Sequence, residues 1–172
     1  MEVLPRSTKM RNEPELALIY RRCAPAVFRR ARQILGSEVD AREVTQDVFL
    51  SLLERPEQFG GRSSLTTFLY RMTTNACLSR LRDERNRQRL RRERLEGAPG
   101  ADAPGPDVEQ QLMVQRALQS MPPELAHAAI YYLIDGLTHA EIAELLDCSR
   151  RHVGDLLARV QGWQEAKEAS SC

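Results

Sequence analysis

The side chains able to do chemistry in this chain are mostly guanidinium groups and carboxylates, and each kind is gathered in its own stretch. Between residues 80 and 94 lie Arg80, Arg82, Arg85, Arg87, Arg89, Arg91, Arg92 and Arg94, against Asp83, Glu84 and Glu93. Such a density of guanidinium groups suits phosphate contact. A solvated, Arg-rich helix end is the plainer reading. Glu43, Gln46 and Asp47 form an acidic counterpart on one side of a predicted helix, either a solvated face or a surface for a basic partner. A third group sets Thr138 and Glu141 at capping-box spacing, with Ser149, Arg150, Arg151 and His152 following.

Metal and nucleophile chemistry finds little support. Cys23, Cys77, Cys148 and Cys172 form neither a CxxC pair nor a Cys/His zinc pattern. They read as reduced thiols, Cys23 and Cys148 as small core residues. His139-Ala140-Glu141 has the H-x-E of zinc deaminases, but no Pro-Cys-x-x-Cys follows it and no HExxH occurs. The three histidines are expected on helix surfaces or at turns.

Helices must position these groups. Aromatic residues are few among the 172, and the apolar ones recur at helical spacing, so the expected fold class is all-α. Gly97 to Asp107 holds three prolines and three glycines, which excludes a regular helix or strand. It marks a flexible Pro/Gly-rich linker, 95–107, between two small helical domains at 14–94 and 108–167. Helices are predicted at about 14–35, 40–55, 63–93, 108–120, 123–134, 139–147 and 150–166. Gly36 and Gly136 are placed as left-handed C-caps, Asp40 as an N-cap answered by Glu43, and Ser63 or Ser64 as the cap of the third helix. Leu65, Phe68, Leu69, Met72 and Ala76 form the apolar stripe of that helix. In the third group, Ile142, Leu145 and Leu146 face inward from one short helix, Asp147-Cys148 turns the chain, and Val153, Leu157 and Val160 face inward from the next. That is a helix-turn-helix, whose second helix normally enters the DNA major groove. A helical hairpin within a bundle has the same pattern.

Net charge is +1, yet residues 1–107 carry 20 Arg or Lys against 15 Asp or Glu, and residues 108–172 carry 5 against 9. The basic half is therefore the one expected to meet phosphate. No apolar run reaches the length of a membrane span, and Met1 to Glu13 is polar, so a cytoplasmic protein is expected.

Three motifs in order around one linker resemble the extracytoplasmic-function class of bacterial RNA polymerase sigma factors, the two-domain type. Asp40-Ala41-Arg42-Glu43-Val44-Thr45-Gln46-Asp47-Val48-Phe49-Leu50 is similar to the polymerase-binding helix of that family, DAEDxxQExF. Phe59 to Asn75, ending Phe68-Leu69-Tyr70-Arg71-Met72-Thr73-Thr74-Asn75, resembles its promoter-opening segment with the core WLYRIAxN. Met121 to Val160 looks like the domain that reads the minus-35 element.

The resemblance implies a non-enzymatic factor that binds core polymerase, recognises both promoter elements and helps open the DNA. Asp40, Glu43, Gln46, Asp47 and Leu50 would dock on the β′ clamp helices, with further contact to β. Gln58, Phe59, Arg62, Ser64, Phe68, Arg71, Asn75 and Arg82 would serve the minus-10 strand, the loop 56–62 taking a flipped base. Thr138, Ser149, Arg150, Arg151, His152 and Arg159 would serve the minus-35 element. An anti-sigma factor is implied as a partner; a cofactor, a metal and a small-molecule substrate are not.

The sequence departs from the family pattern at three places. Phe68 stands for the usual Trp, and Ser79 for an Asp. The recognition helix, usually GTVKSRL, reads Arg151-His152-Val153-Gly154-Asp155-Leu156-Leu157. On this alignment Leu156 replaces a groove-facing Arg and Asp155 faces phosphate, so weak or selective minus-35 binding is expected. They also motivate the alternative of a sigma-like interaction protein whose C-terminal domain contacts protein rather than DNA.

Overall fold

A computed structural model describes residues 13–59, 63–94 and 106–169. Residues 95–105, most of the expected linker, and Arg62 lie outside the described residues. Every regular element among the described residues is helical: α1 (Glu13–Leu35), α2 (Glu38–Glu54), α3 (Leu65–Arg94), α4 (Pro106–Ser120), α5 (Pro123–Ala129), α6 (His139–Leu146) and α7 (Arg150–Ala169). A 3-10 turn at Pro56–Gln58 follows α2, and a π-helical turn at Ile130–Ile134 follows α5. The all-α class is as expected. The chain forms two compact units, Met1–Gln115 and Arg116–Cys172.

In the first unit α1, α2 and α3 pack against one another. Val27 and Ile34, Val44, Val48 and Leu52, and Leu69, Leu78 and Leu81 fill the space between them. Each such side chain contributes about 1.5–3 kcal/mol on burial. Gly36 ends α1 in the left-handed conformation (φ +67°). Its amide closes on Arg32 O at 2.7 Å, so the break falls there and the next residue must cap. That residue is Ser37, whose hydroxyl accepts from the Asp40 amide at 3.2 Å. Asp40 is thus not the N-cap that its spacing to Glu43 suggested. It lies inside the first turn, and its carboxylate is left for another partner.

Ser64 caps α3, its hydroxyl accepting from the Thr67 amide at 3.1 Å. The core face of α3 is broader than the apolar stripe read from the sequence, because Thr73 and Thr74 are fully buried beside Cys77. Their hydroxyls donate to Leu69 O at 2.7 Å and Tyr70 O at 2.9 Å, which satisfies them without water. Phe68, Met72 and Ala76 are only half-buried. Arg30 of α1 is also buried. It donates from Nε and Nη2 to Thr74 Oγ1 at 3.1 and 2.9 Å and lies 3.4 Å above the Tyr70 ring. Cys77, rather than Cys23 or Cys148, is the core cysteine; the other two are half-buried. Desolvation pushes the Cys77 thiol up to about 12, against the pull of Arg30 and Arg80, and leaves it inert.

In the second unit α5 and α6 pack on α7. The helix from Pro123 does not stay α-helical to residue 134 as expected. At Ile130 it widens to a π turn, with the Asp135 amide bonding Ile130 O at 3.0 Å. Ile130 and Tyr131, at the start of this turn, are both buried. Gly136 then reverses the chain at φ +66°. On α7 the buried stripe is Val153, Leu156, Leu157 and Val160. Leu156 is 2% exposed, so the position read as groove-facing belongs to the core.

Candidate functional site

The exposed face of α2 is the first candidate surface. Gln46, Asp47 and Leu50 are exposed, and Leu53 continues the face one turn on. Leu50 at 53% and Leu53 at 47% are large exposed apolar side chains beside a carboxylate, the composition of a contact patch with a charged rim. Asp47 makes no ion pair among the described residues. Asp40 and Glu43 differ, because both are held by Arg80 of α3. Arg80 Nε donates to Asp40 Oδ1 at 2.8 Å, and its Nη2 lies 2.5 Å from both Asp40 Oδ1 and Glu43 Oε2. For Asp40, desolvation works upward, but hydrogen bonds from Ser37 and Arg80 outweigh it and hold the carboxyl below its ordinary value. Behind this face, Tyr20 and Phe28 of α1 and Arg42 and Gln46 of α2 line a groove of about 500 Å3.

The second surface starts at the 3-10 turn and runs along α3. Phe59 and Phe68 meet edge to face, with ring centroids 5.4 Å apart, and both are half-buried. Gln58, Ser64, Arg71 and Asn75 are exposed. Phe68, Arg71, Asn75 and Arg82 follow one side of the helix at spacings of three, four and seven. Arg82 is half-buried, and its Nη2 is shielded from solvent without a hydrogen-bond partner. Of the arginines read as phosphate contacts, Arg80 is taken up by α2 and Arg87 pairs with Glu84 at 2.9 Å.

The third surface is the helix-turn-helix. Asp147 closes the turn in the left-handed conformation at φ +54°, and Ser149 caps α7 by accepting from the His152 amide at 3.2 Å. Arg150, Arg151 and His152 are exposed on the first turn of α7, where two guanidinium groups and the helix N-terminus together favour an anion. Asp155 is exposed one turn later. Arg159 is exposed but pairs with Glu124 of α5 at 2.7 Å. The Thr138 hydroxyl is used in capping α6: it accepts from the Glu141 amide at 3.3 Å and donates to Glu141 Oε2 at 2.7 Å.

That capping box titrates. Hydrogen bonds from the Thr138 hydroxyl, and then its amide, hold the Glu141 carboxyl below its ordinary value of 4.5. A carboxylate with a depressed folded-state value stabilises fully above the ordinary value and loses that contribution as pH falls through the depressed one. Hydrogen-exchange protection in the first turn of α6 is therefore expected to drop in that acid window. Glu141→Gln, which keeps the acceptor oxygen, is expected to abolish the pH dependence.

The sequence reading missed Ser37 as a cap, Arg80 and Arg159 as ion-pair partners, and the buried threonines of α3. The basic partners lie 40 and 35 residues from their acids, a separation at which no local spacing signals contact. Among the described residues no three His, Cys, Asp or Glu side chains gather as a metal site, and no helix is long and apolar enough to cross a membrane.

Comparison with known proteins fits this arrangement. The Sigma-70 region 2 family matches residues 19–87, and the Sigma-70, region 4 family matches residues 111–160. The ECF RNA polymerase sigma factor SigE of Mycolicibacterium smegmatis is 31% identical over 136 residues, 74% of this chain and 51% of SigE. SigM of Mycobacterium tuberculosis is 29% identical over 143 residues, covering 83% of this chain and 71% of SigM. The chain spans about half the length of SigE. Among solved structures, CnrH in complex with the cytosolic domain of CnrY superposes with a TM-score of 0.54 at 18% identity, covering 94% of this chain and 92% of CnrH. The sigma factor RpoE of Bartonella quintana, in complex with the anti-sigma factor NepR, gives 0.51 at 18%, covering 90% and 97%. These two likenesses speak for the fold. The chain belongs to the extracytoplasmic-function group of the sigma-70 family.

Proposed function

We propose that this chain is a promoter-specificity subunit: it binds core RNA polymerase, directs it to a minus-10 and a minus-35 element, and helps open the DNA. One observation carries the reading. A region 2 helix presenting leucines beside a free carboxylate precedes, in the same chain, a region 4 helix-turn-helix with an exposed basic first turn. Docking uses Gln46, Asp47 and Leu50 on α2, with Asp40 and Glu43 alongside. The minus-10 strand is held at Gln58, Phe59, Arg62, Ser64, Phe68, Arg71, Asn75 and Arg82, and an unstacked base is read by stacking and edge contacts. Arg150, Arg151 and His152 enter the minus-35 groove, Ser149 and Thr138 orient the two helices, and Arg159 is shared with Glu124. No bond is made or broken by this subunit, and the chemistry stays with the polymerase.

The burial of Leu156 removes one ground for a C-terminal domain that contacts only protein, since no arginine side chain has been lost from the DNA face there. The proposed partners include an anti-sigma factor, as RpoE has in its complex with NepR, and the proposed compartment is the cytoplasm. Supplementing core polymerase with the chain tests the proposal: promoter-dependent transcripts are expected, and their absence despite stable binding to core would overturn it.

Phe68→Ala separates opening from docking. Stacking of a base on an aromatic ring contributes about 1–3 kcal/mol, so roughly a tenfold loss of open complex is expected, read by permanganate reactivity of minus-10 thymines. A pre-melted promoter should restore the mutant; no rescue would place the lesion in folding or docking.

A further inference from the structure

The arginine-rich stretch of α3 and the acidic face of α2 meet at Arg80. Its one guanidinium serves two carboxylates a turn apart, Asp40 through Nε and Nη2 and Glu43 through Nη2. The Arg80 side chain is 27% exposed, against 38% for Asp40 and 51% for Glu43. The pairs are therefore partly shielded from salt. A planar fork is needed to reach both acids at once, and lysine would offer a single point charge.

We propose that Arg80 is a positioning residue for polymerase docking: it engages Asp40 and Glu43 and leaves Asp47, with Glu54 two turns on, as the carboxylates, unpaired among the described residues, that this face of α2 offers to a basic partner. This rests on the docking of α2 proposed above. The docking face then consists of Asp47 and Glu54 with Gln46, Leu50 and Leu53, rather than a run of three acids at its start. A partner cation approaching Glu43 has to share that carboxylate with Arg80. Arg80 accordingly moderates the electrostatic part of the encounter, and it leaves the set of phosphate contacts in which the arginine run placed it.

The test is the affinity of the full chain for core polymerase across a salt series, for Arg80→Ala, Glu43→Gln and the double variant. Arg80→Ala is expected to bind about two- to fivefold tighter at low salt, the scale of a surface ion pair, with the gain fading as salt rises. Glu43→Gln, which removes one acid of the docking surface but leaves Arg80 on Asp40, is expected to weaken binding by about two- to threefold, and the double variant should keep only the part of the gain that the freed Asp40 supplies, below Arg80→Ala. Arg80→Gln, which keeps a hydrogen bond to the acids, covers the case in which Arg80→Ala loosens α3 and is expected to show the same gain. Weaker binding of both Arg80 variants, a double variant that keeps the full gain, or a tenfold loss in Glu43→Gln alone would each overturn the proposal. Asp47→Lys distinguishes the two readings: if it binds core as the parent does, α2 is not the docking helix and the underlying reading fails first.

Discussion

Asp47→Lys combined with Leu50→Glu on α2 is expected to lower affinity for core polymerase at least about a hundredfold while leaving helical content and melting unchanged. Both side chains are exposed, so neither change disturbs the core. At an interface, a reversed charge exchanges attraction for repulsion, and a carboxylate at Leu50 must be desolvated against an apolar partner surface. Losing one desolvated charged contact costs roughly 2–5 kcal/mol, enough for the expected loss. Surface plasmon resonance with immobilised core would measure it. Affinity within threefold of the parent would remove α2 from the docking surface.

Leu156→Arg is expected to unfold the second unit. By the family pattern alone this change restores a DNA contact, but Leu156 lies between Val153 and Val160 in the buried stripe of α7. A guanidinium there must either stay unsolvated or force α7 off α5 and α6. Uncompensated burial of a charge costs more than about 4 kcal/mol, against a total stability of roughly 0.05–0.15 kcal/mol per residue in a small unit. Hydrogen exchange on the full chain should show α5, α6 and α7 losing protection while α1, α2 and α3 keep theirs. Retained protection together with stronger promoter binding would place residue 156 on the DNA face after all.

The contrast at Leu156 shows where sequence was a sufficient guide. The spacing 153, 156, 157 and 160 is that of a single helix face, yet only Val153, Leu157 and Val160 were read as inward, because the family template put residue 156 on the groove side. Local backbone signals were legible: Gly36 and Gly136 in the left-handed region, the Thr138–Glu141 capping box, and Ser64 and Ser149 as caps. Each depends on a few adjacent residues. What escaped depends on contacts between elements. Thr73 and Thr74 read as polar until their hydroxyls are seen bonded within α3. The π turn at Ile130–Ile134 likewise has no local spacing that announces it. The pairing of Arg80 with Asp40 and Glu43, like that of Arg159 with Glu124, is tertiary in the same sense.

The central claim, that this chain gives polymerase its choice of promoter, is tested most directly by sequencing the 5′ ends of transcripts made on genomic DNA by core polymerase with and without it. The account predicts a new set of starts sharing a minus-10 and a minus-35 element, lost on Asp47→Lys with Leu50→Glu and depleted on Arg151→Ala. Starts identical to those of core alone, with the chain stably bound, would contradict it.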